Sequence, residues 1–226
     1  MTKAPENPTA VCGVRGRVWR VLPAVLLPFF LGACATTFTA VINTPVEPIS
    51  AQQGLLPLRA AILVSPQDQG YVCRAPIPLG AWLYPFGQNL EQVSLETFRQ
   101  VFQSVATVQE PGDFTGYDVL IEPHFNQEQT SVQISMTRIV AEVSLDFSVL
   151  DRSGVVWRKN FVGRVTTGDS DSDMSRGGQA LSEAVRDAAS AMYQDFGKPG
   201  FLGKVTGQSA PSDAKPSGGA APWWQQ

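Results

Sequence analysis

The chain has 226 residues, 43% of them hydrophobic, a formal net charge of −3, one histidine and three cysteines. That length and apolar content suit one domain with a sizeable core, and an acidic balance without a basic run excludes an electrostatic footprint for nucleic acid. So few histidines and cysteines exclude a zinc site built from several such ligands.

At the start, Lys3, Arg15, Arg17 and Arg20 precede the apolar segment VLPAVLLPFFL and the small residues Gly32 and Ala33, the order of an export signal (residues 1–33). The apolar run is shorter than the roughly 20 residues that a spanning helix needs, and Pro23 and Pro28 each interrupt helical hydrogen bonding. Leu31, Gly32, Ala33 and Cys34 resemble the lipobox of bacterial lipoproteins. The resemblance implies cleavage between Ala33 and Cys34, a diacylglyceryl group on the thiol and acylation of the new amine, an attachment stronger than one acyl chain provides. In the Gram-negative sorting rule an aspartate after the lipidated cysteine favours the inner membrane; Ala35 stands there, which implies the outer membrane with the domain facing the periplasm. The other reading is an ordinary secretory signal with an incidental cysteine. With Cys12 removed and Cys34 acylated, Cys73 is left alone, so the mature chain forms no intramolecular disulfide and Cys73 is expected to serve as a small apolar residue.

Residues 34–57, rich in Thr, Pro, Ala and Gln, read as a flexible tether, 58–196 as the folded domain, and 197–226, rich in Gly, Pro, Ser, Ala and Lys, as a disordered tail. Within the domain, RAAILVS from Arg59 to Ser65 predicts a buried strand, followed by a long loop holding Gly70, Pro76, Pro78, Gly80, Pro85 and Gly87. Asn89 can cap a helix whose stripe is Leu90, Val93, Phe98, Val101, Phe102 and Val105. Tyr117 to Phe125 predicts a strand ending near Pro123. Val132, Ile134 and Met136 share one face; after Thr137 and Arg138 the parity changes to Ile139, Val143, Leu145, Phe147 and Val149, which predicts a bulge or two separate strands. The turn Asp151 to Gly154 leads into a returning strand with Val155, Trp157, Phe161 and Val165 on its apolar face, and an amphipathic helix from about Ser175 to Phe196 closes the domain. The predicted class is α+β: a mixed, largely antiparallel sheet with two amphipathic helices on one face.

A strand, a helix ending FRQVFQSV, a strand led by YDVLIEPHF, a long strand ending LDRSGVVWRKNFVG and a last helix beginning GGQALSEAVRDAASAMYQDF resemble small envelope lipoproteins of the YajG and ABC-transport auxiliary type. These are similar in layout to the N-terminal domain of TolB and to curli-secretion and Pel-export lipoproteins. The resemblance implies a protein that organises other envelope proteins, with no shared catalytic residues to carry over. The loop from Pro66 to Gln88 has no counterpart in it.

The residues themselves argue against catalysis. His124 stands beside Pro123, there is no G-x-S-x-G elbow, and phosphate-loop and dinucleotide fingerprints are absent, so no cofactor is expected. Asp169 to Met174 begins like a calcium loop, but Met174 and Ala180 occupy the places that require glycine and glutamate, so no metal is assigned. Glu122, Glu128 and Glu142 could serve a hydrolase only if two of them faced one cleft. Trp82, Tyr84 and Phe86 are candidate contacts for a partner or ligand, the alternative being that they fold over the sheet. Trp223 and Trp224 in APWWQQ form a candidate auxiliary docking motif. The expected function is a non-enzymatic accessory, held to the membrane by acyl groups, that binds an envelope protein. A lipid- or glycan-handling transport subunit, with an apolar cavity beneath Trp82 and Phe86, is the alternative, followed by a carboxylate hydrolase. Partner identity and oligomeric state are left open.

Overall fold

The structure, a computed structural model, describes residues 36–49, 54–111, 115–135, 138–168, 174–198 and 201. In chain order the elements are β1 (Thr36–Thr39), β2 (Leu56–Ile62), α1 (Pro66–Gln69), β3 (Cys73–Ile77), β4 (Gly80–Tyr84), α2 (Gly87–Phe98), β5 (Phe102–Thr107), β6 (Val119–Phe125), β7 (Ser131–Ile134), β8 (Ile139–Asp151), β9 (Gly154–Thr166) and α3 (Gly177–Phe196). Strands β5, β2 and β6 are mutually parallel; β8 runs antiparallel to them, pairs with both β6 and β7 along one edge, and pairs with β9 along the other. A second sheet has the order β1-β4-β3. The class is α+β, as the sequence predicts, with two sheets where one was expected.

Local chemistry explains the longest hairpin. The Asp151 carboxylate accepts bonds from the Ser153 N–H and hydroxyl at 2.7 and 2.5 Å, and Gly154 takes φ +123°, which lets β8 turn directly into β9. The parity change in the sequence resolves as two strands: the Ser135 hydroxyl donates to the Arg138 carbonyl, and Val132 pairs with Ala141 across the join. A register shift near Val149 and Leu150 corrects one assignment. It turns Val155 outward, 54% exposed, while Val156 packs on the core and Trp157, opposite Val149, is buried.

The helices cover the apolar face through interlocking rings. Phe98 of α2 meets Phe147 edge-on at 6.0 Å, and Phe196 of α3 meets Trp157 at 6.2 Å. Along α3, Leu181, Ala184, Val185, Ala188, Met192 and Phe196 are fully buried, the stripe that the period predicts. Gly163 lets the helix come close, because a Cβ there would lie 1.9 Å from the Ala180 carbonyl oxygen. Helix α2 stops at Phe98 and not beyond it. Val101 belongs to the turn, and Phe102 and Val105 belong to β5, which pairs with β2; their spacing mimics a helical stripe although the segment is rich in β-branched residues.

Three other departures have clear causes. Pro123 sits inside β6 because Phe125, two residues on, points its N–H away from β8 to the Asp68 carboxylate; Pro123 faces the same way, beyond the end of β2. Residues 36–49, expected as tether, lie against the domain: β1 pairs with β4, Ala40 is buried, the Asn43 N–H bonds the Ser175 carbonyl, and Ile49 bonds the Gln100 side chain. Phe201, expected in the tail, stacks on Phe196 with centroids 4.3 Å apart.

Candidate functional site

The segment from Pro66 to Gln88, read as a loop, folds into α1 and the β3–β4 hairpin. In the pairing of β3 with β4, Cys73 stands opposite Tyr84 and Ala75 opposite Trp82. Tyr84 and Phe86 are fully buried and stack at 5.9 Å, so these two are core residues and not a contact surface. Burial, with the Cys73 thiol beside it, pushes the Tyr84 phenol up to about 12, and its hydroxyl donates to the Met174 sulfur at 3.2 Å. Phe86, buried in the core, does not line the cavity that a lipid- or glycan-handling reading needs. Trp82 is different: it is half-buried and stacks at 5.1 Å on Phe38, itself 42% exposed. Sequence reasoning missed Phe38 and Leu79, the latter 84% exposed at the hairpin tip. The available signal was their isolation as large apolar residues in stretches without charge.

The histidine has a specific setting. Ser65 caps α1, accepting the Asp68 N–H at 3.1 Å and donating its hydroxyl to the Asp68 carboxylate at 2.5 Å. The same carboxylate pairs with His124 Nδ1 at 2.8 Å and accepts the Phe125 N–H at 2.9 Å. Burial pushes the Asp68 carboxyl up, but the bonds from His124, Ser65 and Phe125 outweigh it and leave it below its ordinary value. The bond to Asp68 raises His124 despite partial burial. Serine, aspartate and histidine meet here, yet the serine donates to the aspartate and not to the imidazole, so the cluster is a joint between α1 and β6 and lacks an activated nucleophile.

Of the candidate carboxylates, Glu122 and Glu142 do not converge as a hydrolase would need. Glu142 pairs across strands with Arg164 at 3.9 Å, and Glu122 stands opposite Ser148. A shallow cleft of about 170 Å³ is lined by Pro45, Glu47, Arg164, Glu183 and Arg186 among others. Its acids are already engaged: Glu47 pairs with Arg186, and Glu183 accepts the Arg164 N–H at 2.8 Å. Among the described residues no three His, Cys, Asp or Glu side chains are grouped to hold a metal, and no helix is long and apolar enough to cross a membrane.

β9 presents the other candidate surface. Among the described residues no strand pairs with its outer edge, and Val155 and Val162 are 54% and 43% exposed. Two of its charges are engaged by neighbours: Arg158 donates to the Ser148 hydroxyl of β8 at 3.0 Å, and Lys159 reaches Asp195 of α3 at 2.7 Å. The bonds from Lys159, Lys198 and Trp157 hold the Asp195 carboxyl well below the usual range. Ala33, Cys34, Trp223, Trp224 and the acidic run 169–173 lie outside the described residues.

No family model matches the chain, and no curated protein matches it. Solved structures do. A protein of the DUF330 family from Xanthomonas campestris is 13% identical, with a TM-score of 0.45 over 76% of this chain and 97% of that one. The PelC dodecamer from Paraburkholderia phytofirmans is 16% identical, with a TM-score of 0.38 over 62% and 93% of the two chains. Lipoprotein GNA1162 from Neisseria meningitidis is 14% identical, with a TM-score of 0.32 over 57% and 98%. A PelC chain and a lipoprotein are thus among the solved structures that the chain matches, and at these identities no residue role passes from them to this chain.

Proposed function

We propose that this chain is a lipoprotein acylated at Cys34, held at the periplasmic face of the outer membrane, whose domain docks an extended segment of another envelope protein and catalyses nothing. The observation that carries the docking is β9, whose outer edge from Val155 to Val162 pairs with no strand among the described residues and carries two exposed valines, while further on Glu183 takes the Arg164 N–H. An unpaired edge offers a row of backbone donors and acceptors to an added strand, and alternate side chains select the partner. The charges that would guard such an edge are tied to Ser148, Asp195 and Glu142. Leu31 to Cys34 supports the anchor, and Ala35 supports the outer membrane.

A photocrosslinking residue placed at Val162 in the membrane-bound protein is expected to give one prominent adduct of fixed mass, with none from the same residue at Gln92 on α2. Equal labelling at both positions, or none, defeats the docking reading. The anchor is tested apart from it: Cys34→Ala is expected to abolish incorporation of labelled palmitate and release the protein from membranes. A parent protein that never incorporates palmitate refutes the anchor.

A further inference from the structure

We propose that the β3–β4 hairpin tip and the adjoining β1 strand, through Leu79, Phe38 and Trp82, insert into the headgroup layer of the phospholipid bilayer that holds the Cys34 acyl chains. The proposal rests on the anchor reading above. What places these residues is topology. β1 and β4 are parallel, with Thr36 opposite Gly80, so the start of β1 and the hairpin tip lie at the same end of the sheet. They also touch: a Cβ on Gly80 would stand 1.8 Å from the Thr36 carbonyl oxygen, so the turn is pressed against the backbone that leads to Cys34.

Distance then decides the surroundings of the tip. Cys34 precedes Thr36 by two residues, a reach of at most about 7 Å for extended chain. The headgroup layer on each side of a bilayer is itself about 5–8 Å thick. A cysteine whose acyl chains enter the hydrocarbon therefore holds Thr36, and the turn pressed on it, within or against that layer.

The side chains suit those surroundings. Leu79, at the tip, is 84% exposed, far more than packing in the domain would leave it. Residues 35–46 and 75–90 contain no charged side chain, so no ion would lose its hydration on entering the layer. The nearest charge along β3 is Arg74, opposite Leu83 at the other end of the pairing. Between tip and domain lies the Phe38–Trp82 stack; tryptophan, apolar in body with one polar N–H, concentrates at the membrane–water boundary.

The test uses the acylated full chain in vesicles of phosphatidylethanolamine and phosphatidylglycerol. Leu79→Cys carries a bimane label; Cys73 is buried and Cys34 is acylated, so the added thiol takes the probe. The same label on Val162→Cys is the control. The Leu79 probe is expected to emit at shorter wavelength than the control, to be quenched by lipids spin-labelled near the headgroup, and to lose several-fold of its quenching by aqueous iodide. Aqueous emission and unchanged iodide quenching at Leu79, in protein that floats with the vesicles, overturn the proposal and leave the anchor intact. Shielding of the probe that persists without lipid assigns the patch to a second copy or another segment of this chain, and also overturns it. Mass spectrometry of the N-terminal peptide separates the remaining case: Cys34 without acyl groups refutes the anchor and the insertion together.

Discussion

The two sheets of this protein use the same residue types to opposite ends. On the large sheet, aromatics from β8, β9, α2 and α3 interlock, and Phe98, Phe147 and Phe196 are fully buried. On the small sheet, β1 is exposed along its length, and its phenylalanine stacks on a half-buried tryptophan at the surface. The difference teaches that apolar content alone does not distinguish core from contact surface. What distinguishes them is whether another element returns over the face.

Removing a ring from the large sheet should therefore cost most. Trp157→Ala takes away a buried indole, its bond to Asp195 and its contact with Phe196, and is expected to cost about 3–5 kcal/mol in denaturant unfolding. A midpoint that barely moves would break the comparison at its stronger side. Next is Gly163→Ala, whose methyl group would meet the backbone of α3; overpacking of this kind typically costs about 1–3 kcal/mol, and the loss should appear in both midpoint and near-ultraviolet dichroism.

A smaller effect belongs to the joint between α1 and β6. The Asp68 carboxyl, held below its ordinary 3.8, adds stability that is present above that value and disappears as pH falls through the lower folded one. The His124 imidazole, raised above 6.5, adds stability that is complete below 6.5 and disappears as pH rises through the raised folded value. The melting temperature should thus fall in the parent as pH rises above 6.5 and through the raised folded value, and His124→Gln should flatten that fall. A parent with the same alkaline slope as the variant would show that the pair contributes nothing. The smallest effect is reserved for the small sheet: a double-mutant cycle on Phe38→Ala and Trp82→Ala should give a coupling of about 0.5–1.5 kcal/mol, while each change leaves secondary structure intact. A coupling as large as the Trp157 loss would make the exposed stack part of the core and erase the contrast.

The same contrast governs what could be read from sequence. α3 is legible because its 20 residues carry one unbroken helical period, and the β8–β9 hairpin because Asp151 to Gly154 is an unambiguous turn. β3 and β4 leave little trace: their buried residues include Cys73, Ala75 and Ala81, too small to make a hydropathy alternation, and Pro76 suggests a loop. β1 has nothing to alternate, since all four of its residues are exposed. The pairing of Asp68 with His124 joins residues 56 apart, and local periodicity holds no information about such a meeting. Trp157 was placed correctly with Phe161, but Val155 was not, because a register shift in the backbone overrides sequence parity.

The parallel pairing of β1 with β4 also fixes an order of events in time. The β8–β9 hairpin needs only its own turn to form, whereas β1 has no partner until residues 80–83 have arrived, and Asn43 cannot bond Ser175 until the start of the last helix is in place. A chain synthesised from its N-terminus thus delivers first the segment that can dock only late. For the interval in between, β1 is left without its partner strand. Pulsed hydrogen exchange during refolding should show amides of β8 and β9 protected before those of β1; simultaneous protection would mean that the first strand closes with the core.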